Sequence, residues 1–447
     1  MFTRGTRAGY CGSVLPTSGL ARRRRAIRAA LSAALAATLT ATVTTGLTGS
    51  PATAQDAPRQ VSYQQWTTGA QLGTGTFHGT RTVRGSLHLA RPVGTRSYDD
   101  PFGKPTKRYA YGRWTSRWET PGFAFDELVA SWDAVTPRDS WVRVQVRGRT
   151  ESGQRSSWDT LASWAAGDAR FHRTSHGAQS DDLARVNVDT WRANHSTGFG
   201  SWQLRVTLLR RAGTTADPSV QTVGAMSSRL PAVSRVATSR TGIANGTVLT
   251  VPRYSQMIHE GDYPEYDNGG EAWCSPTSVS MVLGYHGRLP SPEEYAWVKS
   301  PHPNRFVDHA ARSTFDYEYD GAGNWPFSTA YAAQHADAGF VTRLRSLREA
   351  EMFIRAGIPL VASVAFGNGE LDGSPLTSTN GHLLVISGFR ADGDVVVNDP
   401  AAPRSRGVVR TYDRGQFENA WLPESGGLVY VVRTAARPLP ASPVGNW

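Results

Sequence analysis

Two folds in tandem are predicted from the sequence: an antiparallel all-β sandwich over residues 55–211, then an α+β domain over 247–433. In the second, a helix carries a cysteine and an antiparallel sheet carries a histidine and an aspartate. Three observations predict this order. Apolar and polar residues alternate with period two from Val61 to about Arg211, a stretch with nine of the fourteen tryptophans. The composition turns to Ala, Thr, Ser and Pro over 212–246. Beyond that, Cys274, His382 and Asp399 follow one another around a helix start and a hairpin.

The chain begins with a basic run, Arg22 to Arg25 with Arg28, then an Ala-rich apolar stretch from Ala29 to about Leu47, then Ala52-Thr53-Ala54. That order predicts a secretory signal spanning residues 1–54, cleaved after Ala54. The apolar stretch is diluted by threonine and ends in Gly, Ser and Pro without a basic flank, so a retained anchor is not expected. No later segment is long and apolar enough to span a bilayer, which predicts a secreted protein, extracellular or associated with the cell wall.

The formal charge of +11 includes seven leader arginines and no leader acid, so cleavage leaves +4. With no basic block, a nucleic-acid partner is not expected. Cleavage also removes Cys11, leaving Cys274 as the one expected cysteine. A solitary thiol in an oxidising compartment points to reactivity; the competing reading is a buried, inert small hydrophobe.

Within 55–211 the valines of Trp141-Val142-Arg143-Val144-Gln145-Val146-Arg147 alternate with polar residues. The run Trp202-Gln203-Leu204-Arg205-Val206-Thr207-Leu208 repeats the pattern. Turn clusters at Thr136-Pro137-Arg138-Asp139 and Glu151-Ser152-Gly153 separate such runs, as strands of a sandwich require. Trp158, Trp164 and Trp191 could form a platform for cell-wall glycans, but burial in the sandwich core is the favoured reading. His78, His88, His172, His176 and His195 lack metal-ligand spacing. Residues 212–246 read as an interdomain linker, and 434–447, with Pro438, Pro440 and Pro443, as a loose tail.

Cys274 is followed by Pro276, then by Val279, Val282 and Leu283 at helical spacing, with Gly287 as a stop. The sulfur then lies at a helix N-terminus, where backbone N–H groups and the dipole favour thiolate. His382 opens the apolar run Leu383-Leu384-Val385-Ile386. The turn Ala391-Asp392-Gly393-Asp394 returns the chain through Val395-Val396-Val397 to Asn398-Asp399-Pro400. A hairpin brings the start of its first strand to the end of its second, so His382 and Asp399 can meet. Asp399 would orient the imidazole, with Asn398 the alternative. For an oxyanion donor beside the nucleophile's own N–H, Gln256 is the candidate and Asn268 the weaker alternative.

The segments VPRYSQ, AWCSPTSVSMVLGY, GHLLVISGF and VVVNDP together resemble the papain-fold, bacteriocin-processing cysteine peptidases, thirty-ninth in the peptidase family numbering, in their standalone secreted branch. The resemblance covers about residues 247–433. It implies a papain-like fold with Cys274 as nucleophile, His382 as general base, Asp399 as orienter and Gln256 as oxyanion donor. SWDAVTP and QLRVTLLR in the front half are similar to the non-catalytic region that precedes such domains in actinobacterial proteins. The residue after the cysteine is Ser275, where this family more often has Gly, and the chain has no GxxxxGK[ST] loop, so it lacks the ATP-binding domain of the leader-cleaving transporters.

The expected function is hydrolysis of peptide bonds in a peptide or protein substrate through an acyl-enzyme thioester. The alternatives are an amidase or acyltransferase on cell-wall peptides, or an inactive binding protein. Elsewhere, Ser346-Leu347-Arg348-Glu349 signals a capping box and Gly357 a helix end. The acidic residues Asp262, Glu265, Asp267, Asp316, Glu318 and Asp320 could bind a calcium ion or recognise a basic substrate, but neither run fits an EF-hand and solvated loop is the favoured reading. His259, His286, His302, His309 and His335 lack an HExxH pattern. No metal or organic cofactor is expected.

Overall fold

A computed structural model describes residues 58–177 and 179–447. The expected leader, and the export reading with it, lies outside the described residues. No helix among the described residues is long and apolar enough to cross a membrane.

The front half consists of two seven-stranded sheets. The first runs in the order 184–187, 190–193, 127–135, 219–229, 86–89 and 80–83, with 60–66 also pairing with 219–229. The second runs 174–175, 159–164, 140–149, 201–211, 107–115 and 76–78, with 94–98 on 107–115. All strand pairs in both are antiparallel. Val142, Val144 and Val146 of the second sheet share one core with Leu128, Ala130 and Trp132 of the first, which is what their period-two alternation requires. Trp164 and Trp191 are fully buried in that core. Trp158 is half-buried beneath two arginines, Arg205 at 3.8 Å and Arg147 at 4.6 Å from its ring centre, so it offers no bare aromatic platform.

The rear half holds a third antiparallel sheet, ordered 338–343, 428–433, 360–366, 379–389, 395–398 and 409–412. Six α-helices complete the described fold. The short α1 (Gly69–Leu72) is closed by a reciprocal capping box of Thr68 and Gln71. The others are α2 (Cys274–Tyr285), α3 (Phe306–Thr314), α4 (Trp325–His335), α5 (Leu347–Arg355) and α6 (Arg414–Ser425). Ser346 does precede α5, but its side chain caps nothing; Glu349 accepts instead from the Arg345 N–H, at 2.8 Å. Gly357, at φ +74°, ends the helix as its sequence position predicts.

The linker expected over 212–246 is corrected by the structure. Ser219–Arg229 is a central strand of the first sheet, paired on one side with Glu127–Val135 and on the other with Gln60–Trp66. Both faces of this strand are covered: Val223 and Ala225 enter the front core, while Met226 belongs to a second buried cluster that also holds Val279 and Val282 of α2. A strand buried on two sides accepts small residues throughout and loses its alternation, so its Ser, Thr and Ala content reads as linker. Residues after it are also fastened down. The Val236, Ser239 and Gly242 amides donate to Asn419, Glu418 and Glu351.

The tail expected to be loose is likewise anchored. Asn446 is fully buried, and its Nδ2 donates to the Arg343 carbonyl at 3.0 Å and to Glu349 at 2.9 Å. The Gly445 carbonyl accepts from the Tyr63 N–H at 2.8 Å, and Trp447 packs on Phe353.

The two halves share their interior. Phe327 and Ala330 of α4 belong to the front core, Phe327 lying edge-on to Trp132. The fully buried Arg173 guanidinium donates to Ala165 and Ala166 in the front half and to Arg312 and Phe315 in the rear half. Arg312 is the last-turn cation of α3 and grips Asp168 with two nitrogens, at 2.9 and 2.7 Å. Asp316, expected in a solvated loop, is wholly buried and accepts from the Ser175 N–H and Asn324 Nδ2.

Asp189 accepts from the Trp325 N–H at the start of α4. Burial pushes its carboxyl up to about 7, against hydrogen bonds from Trp325 and Thr190 that pull it down. The folded protein therefore holds a proton between about pH 4 and 7 that the unfolded chain releases. Stability from this group is complete below pH ~4 and is lost as pH rises to about 7, by at most about 4 kcal/mol. Asp189→Asn keeps the acceptor for Trp325. It is expected to remove about 1.4 kcal/mol per pH unit of slope between pH 4 and 7, read by urea unfolding at several pH values; an unchanged slope refutes the assignment.

Candidate active site

Helix α2 starts at Cys274, as the residue spacing predicts, and every residue from Cys274 to Leu283 is buried. It lies on the third sheet through residue 383. The Leu383 N–H donates to Cys274 Sγ at 3.3 Å, and the Leu383 carbonyl accepts from Ser278 Oγ at 3.0 Å, one helical turn on. His382 is the residue before Leu383 on the same strand. Its strand, Thr379–Phe389, begins three residues before the position predicted from the apolar run.

Sγ is disulfide-bonded, and no free cysteine exists among the described residues. The solitary thiol expected for Cys274 thus belongs only to a chain cut after Ala54, because the full sequence still holds Cys11, outside the described residues.

His382 Nε2 meets Asp399 Oδ1 at 2.8 Å, with both side chains about 1% exposed. The other nitrogen, Nδ1, is buried with no hydrogen-bond partner among the described residues. The hairpin accounts for the meeting: Val385 pairs with Asn398, so the strand ends converge on the same edge. Asp399 also accepts from the Ala401 N–H at 3.0 Å and, through Oδ2, from Tyr412 Oη at 2.7 Å. Burial alone would raise the Asp399 carboxyl. The charge and hydrogen bond of His382, then the Tyr412 hydroxyl and the Ala401 amide, outweigh it and hold Asp399 below the ordinary carboxylate range.

Asn398, the alternative orienter, points elsewhere. Its Nδ2 donates to the Val251 and Pro252 carbonyls at 3.2 and 2.9 Å, fastening the segment that leads to Gln256. Gln256 is held to the same loop by its N–H, which donates to Pro400 at 2.9 Å, and by Ser255 Oγ, which donates to the Ala402 carbonyl. Its Nε2 donates to the Glu271 carbonyl at 2.8 Å, three residues before Cys274. One Nε2 hydrogen is thereby used and one is left. Close approach here needs Gly270, where a Cβ would stand 2.3 Å from the Gln256 carbonyl oxygen. Asn268 makes a local backbone turn, its N–H donating to Pro264, at φ +63°. Ser275 faces away from Cys274, its hydroxyl 2.9 Å from Ser328 Oγ and 3.1 Å from Tyr430 Oη.

Tyr412 was not legible in the sequence. It sits in a short strand after the hairpin, and only the pairing of Val409–Tyr412 with Val395–Asn398 brings it close. Burial, then the Asp399 charge, raises its hydroxyl above the ordinary range, so it stays a donor at neutral pH. Tyr412→Phe removes one of the donors that favour Asp399 carboxylate. The carboxyl is expected to rise, and the acid limb of any kcat/KM profile to move to higher pH, with about tenfold loss at its optimum. An acid limb that stays in place would refute this.

A helix carrying a buried cysteine, packed on an antiparallel sheet carrying a paired histidine and aspartate, defines a class of hydrolase-like site. Residues 248–428 match the family model described as Peptidase_C39 like family, and residues 62–228 match the one described as Peptidase C39 N-terminal domain. The chain belongs to the peptidase C39-like family, in its actinobacterial form, and so to the peptidases. No curated protein matches it. Among solved structures it is similar to TmCBM61 in complex with beta-1,4-galactotriose, at 8% identity and a TM-score of 0.16, over 38% of this chain and 88% of that one. At those values the likeness carries no argument.

Proposed function

We propose that this protein is a secreted cysteine peptidase of papain-like arrangement, with Cys274 as nucleophile, His382 as general base and acid, Asp399 as orienter and Gln256 as oxyanion donor. One observation carries the reading: His382 uses Nε2 for Asp399 and keeps Nδ1 without a hydrogen-bond partner among the described residues, while the next residue's N–H donates to the Cys274 sulfur.

The reaction begins with the reduced sulfur. Nδ1 holds the proton taken from Cys274, and the Asp399 carboxylate stabilises the imidazolium. Thiolate attacks the scissile carbonyl carbon, and the oxyanion is met by helix N-terminal amide hydrogen and the remaining Nε2 hydrogen of Gln256. Collapse breaks the C–N bond, His382 gives its proton to the leaving amine, and a thioester remains. Water, deprotonated by His382, then releases the acid and regenerates the thiolate.

Export and cleavage after Ala54 belong to the same proposal. They rest on the order of the basic, apolar and Ala-Thr-Ala segments.

Iodoacetamide labelling of reduced protein across pH tests the thiolate. Alkylation of Cys274 is expected well below the pH ~8.5 at which an ordinary thiol titrates, and His382→Ala should return it towards that value. An ordinary profile in the unsubstituted protein would overturn the reading.

A further inference from the structure

Behind Gln256 the chain makes a second cluster. Gln256–His259 forms a 3-10 turn, and His259, Asp262 and Asp308 of α3 bring ligand-type atoms within 4.8 Å of one another. His259 Nδ1 stands 3.1 Å from Asp308 Oδ2 and 3.6 Å from Asp262 Oδ2. His259 and Asp308 are fully buried. Yet neither nitrogen of His259 and neither oxygen of Asp308 makes a hydrogen bond among the described residues. Buried carboxylate and imidazole atoms without hydrogen bonds are costly, by about 1–3 kcal/mol each.

We infer that His259, Asp262 and Asp308 form a site for a divalent cation of the zinc class, which clasps the segment between Gln256 and Cys274 to α3. The separations fit. A tetrahedral ion with bonds of about 2.0–2.2 Å sets its ligands about 3.3–3.6 Å apart, close to the 3.1 and 3.6 Å seen. Contact without hydrogen-bond alignment is what ligands aimed at a shared third atom produce. Two carboxylates and a neutral imidazole balance a double charge. The nitrogen donor and the small ligand set suit zinc; calcium takes six to eight oxygens. On the open side of Asp262, Ser300 Oγ donates to Oδ2 at 2.7 Å and His302 Nε2 lies 3.9 Å from Oδ1. This departs from the expectation of a chain without metal: the ligands are spread over His259, Asp262 and Asp308, and only the packing of α3 assembles them.

The site has a structural consequence independent of the peptidase proposal. His259 is the last residue of the turn that begins at Gln256, and its ring lies 6.2 Å from that of Trp273, the residue before the cysteine. A bound cation would fix residues 259–262 of the segment to α3, with the His259 ring held against Trp273.

The test uses the full chain, stripped with a chelator and titrated with Zn²⁺ and, separately, with Co²⁺. The expected result is stoichiometric Zn²⁺ uptake, a higher melting temperature with Zn²⁺, and the intense visible Co²⁺ bands of four-coordination. Asp308→Asn, and the more exposed Asp262→Asn as a variant less disruptive to folding, should each weaken Zn²⁺ binding by at least about 10²-fold and abolish the bands. Absence of uptake by folded, unsubstituted protein would overturn the inference, as would uptake and bands that persist in both variants.

Discussion

Replacing Cys274 by Ala is expected to abolish peptide hydrolysis by reduced protein, with a loss of about 10⁴-fold or more in kcat. Alanine removes the sulfur that forms the bond to the carbonyl carbon, and the oxyanion donors and binding alone leave only residual acceleration over water. The fold should survive. The side chain is buried and small, and in the reduced protein its substitution takes an acceptor from the Leu383 N–H at a cost of about 1 kcal/mol. Far-ultraviolet circular dichroism should therefore be unchanged while turnover disappears. Cys274→Ser should behave similarly, because His382 and a helix N-terminus tuned for a thiolate do not ionise an alcohol at neutral pH. Turnover by Cys274→Ala comparable to that of the reduced parent would refute the nucleophile assignment.

Arg173→Met is expected to destabilise the folded chain by about 3–5 kcal/mol. The substitution keeps much of the side chain's length and removes all its donors. It strands the Ala165, Ala166, Arg312 and Phe315 carbonyls. Burial lowers the guanidinium's proton affinity, and the charge of Asp168 pulls it back up. Losing the cation thus also removes part of what balances that carboxylate. Arg312 keeps its bidentate grip on Asp168, so the interface should weaken without coming apart. Urea unfolding followed by tryptophan fluorescence and by circular dichroism should move to lower urea in both probes together. Movement in one probe alone, or in neither, would show that Arg173 does not tie the halves.

Much of the architecture was legible because periodicity survives where only one face is buried. Val142, Val144 and Val146 announce their strand, and the helix from Cys274 announces itself through Pro276 and the spacing of Val279, Val282 and Leu283. The meeting of His382 and Asp399 followed from hairpin geometry, which needs only local turn chemistry. Ser219–Arg229 failed for the opposite reason: with both faces covered, its small residues erase the alternation. The anchored tail failed because prolines signal a missing helix or central strand and say nothing of docking. Tyr412 and the pairing of His259 with Asp308 depend on tertiary contacts that no local pattern encodes.

The shared interior also sets an order of events during synthesis. Phe327 and Ala330 complete a core whose other members lie between Trp66 and Ala225, and the Tyr63 amide waits for the carbonyl of Gly445. The front half leaves the ribosome first but its core lacks two members until Phe327 and Ala330 have emerged, so over that interval its tryptophan core is an unfilled apolar surface for a chaperone to hold.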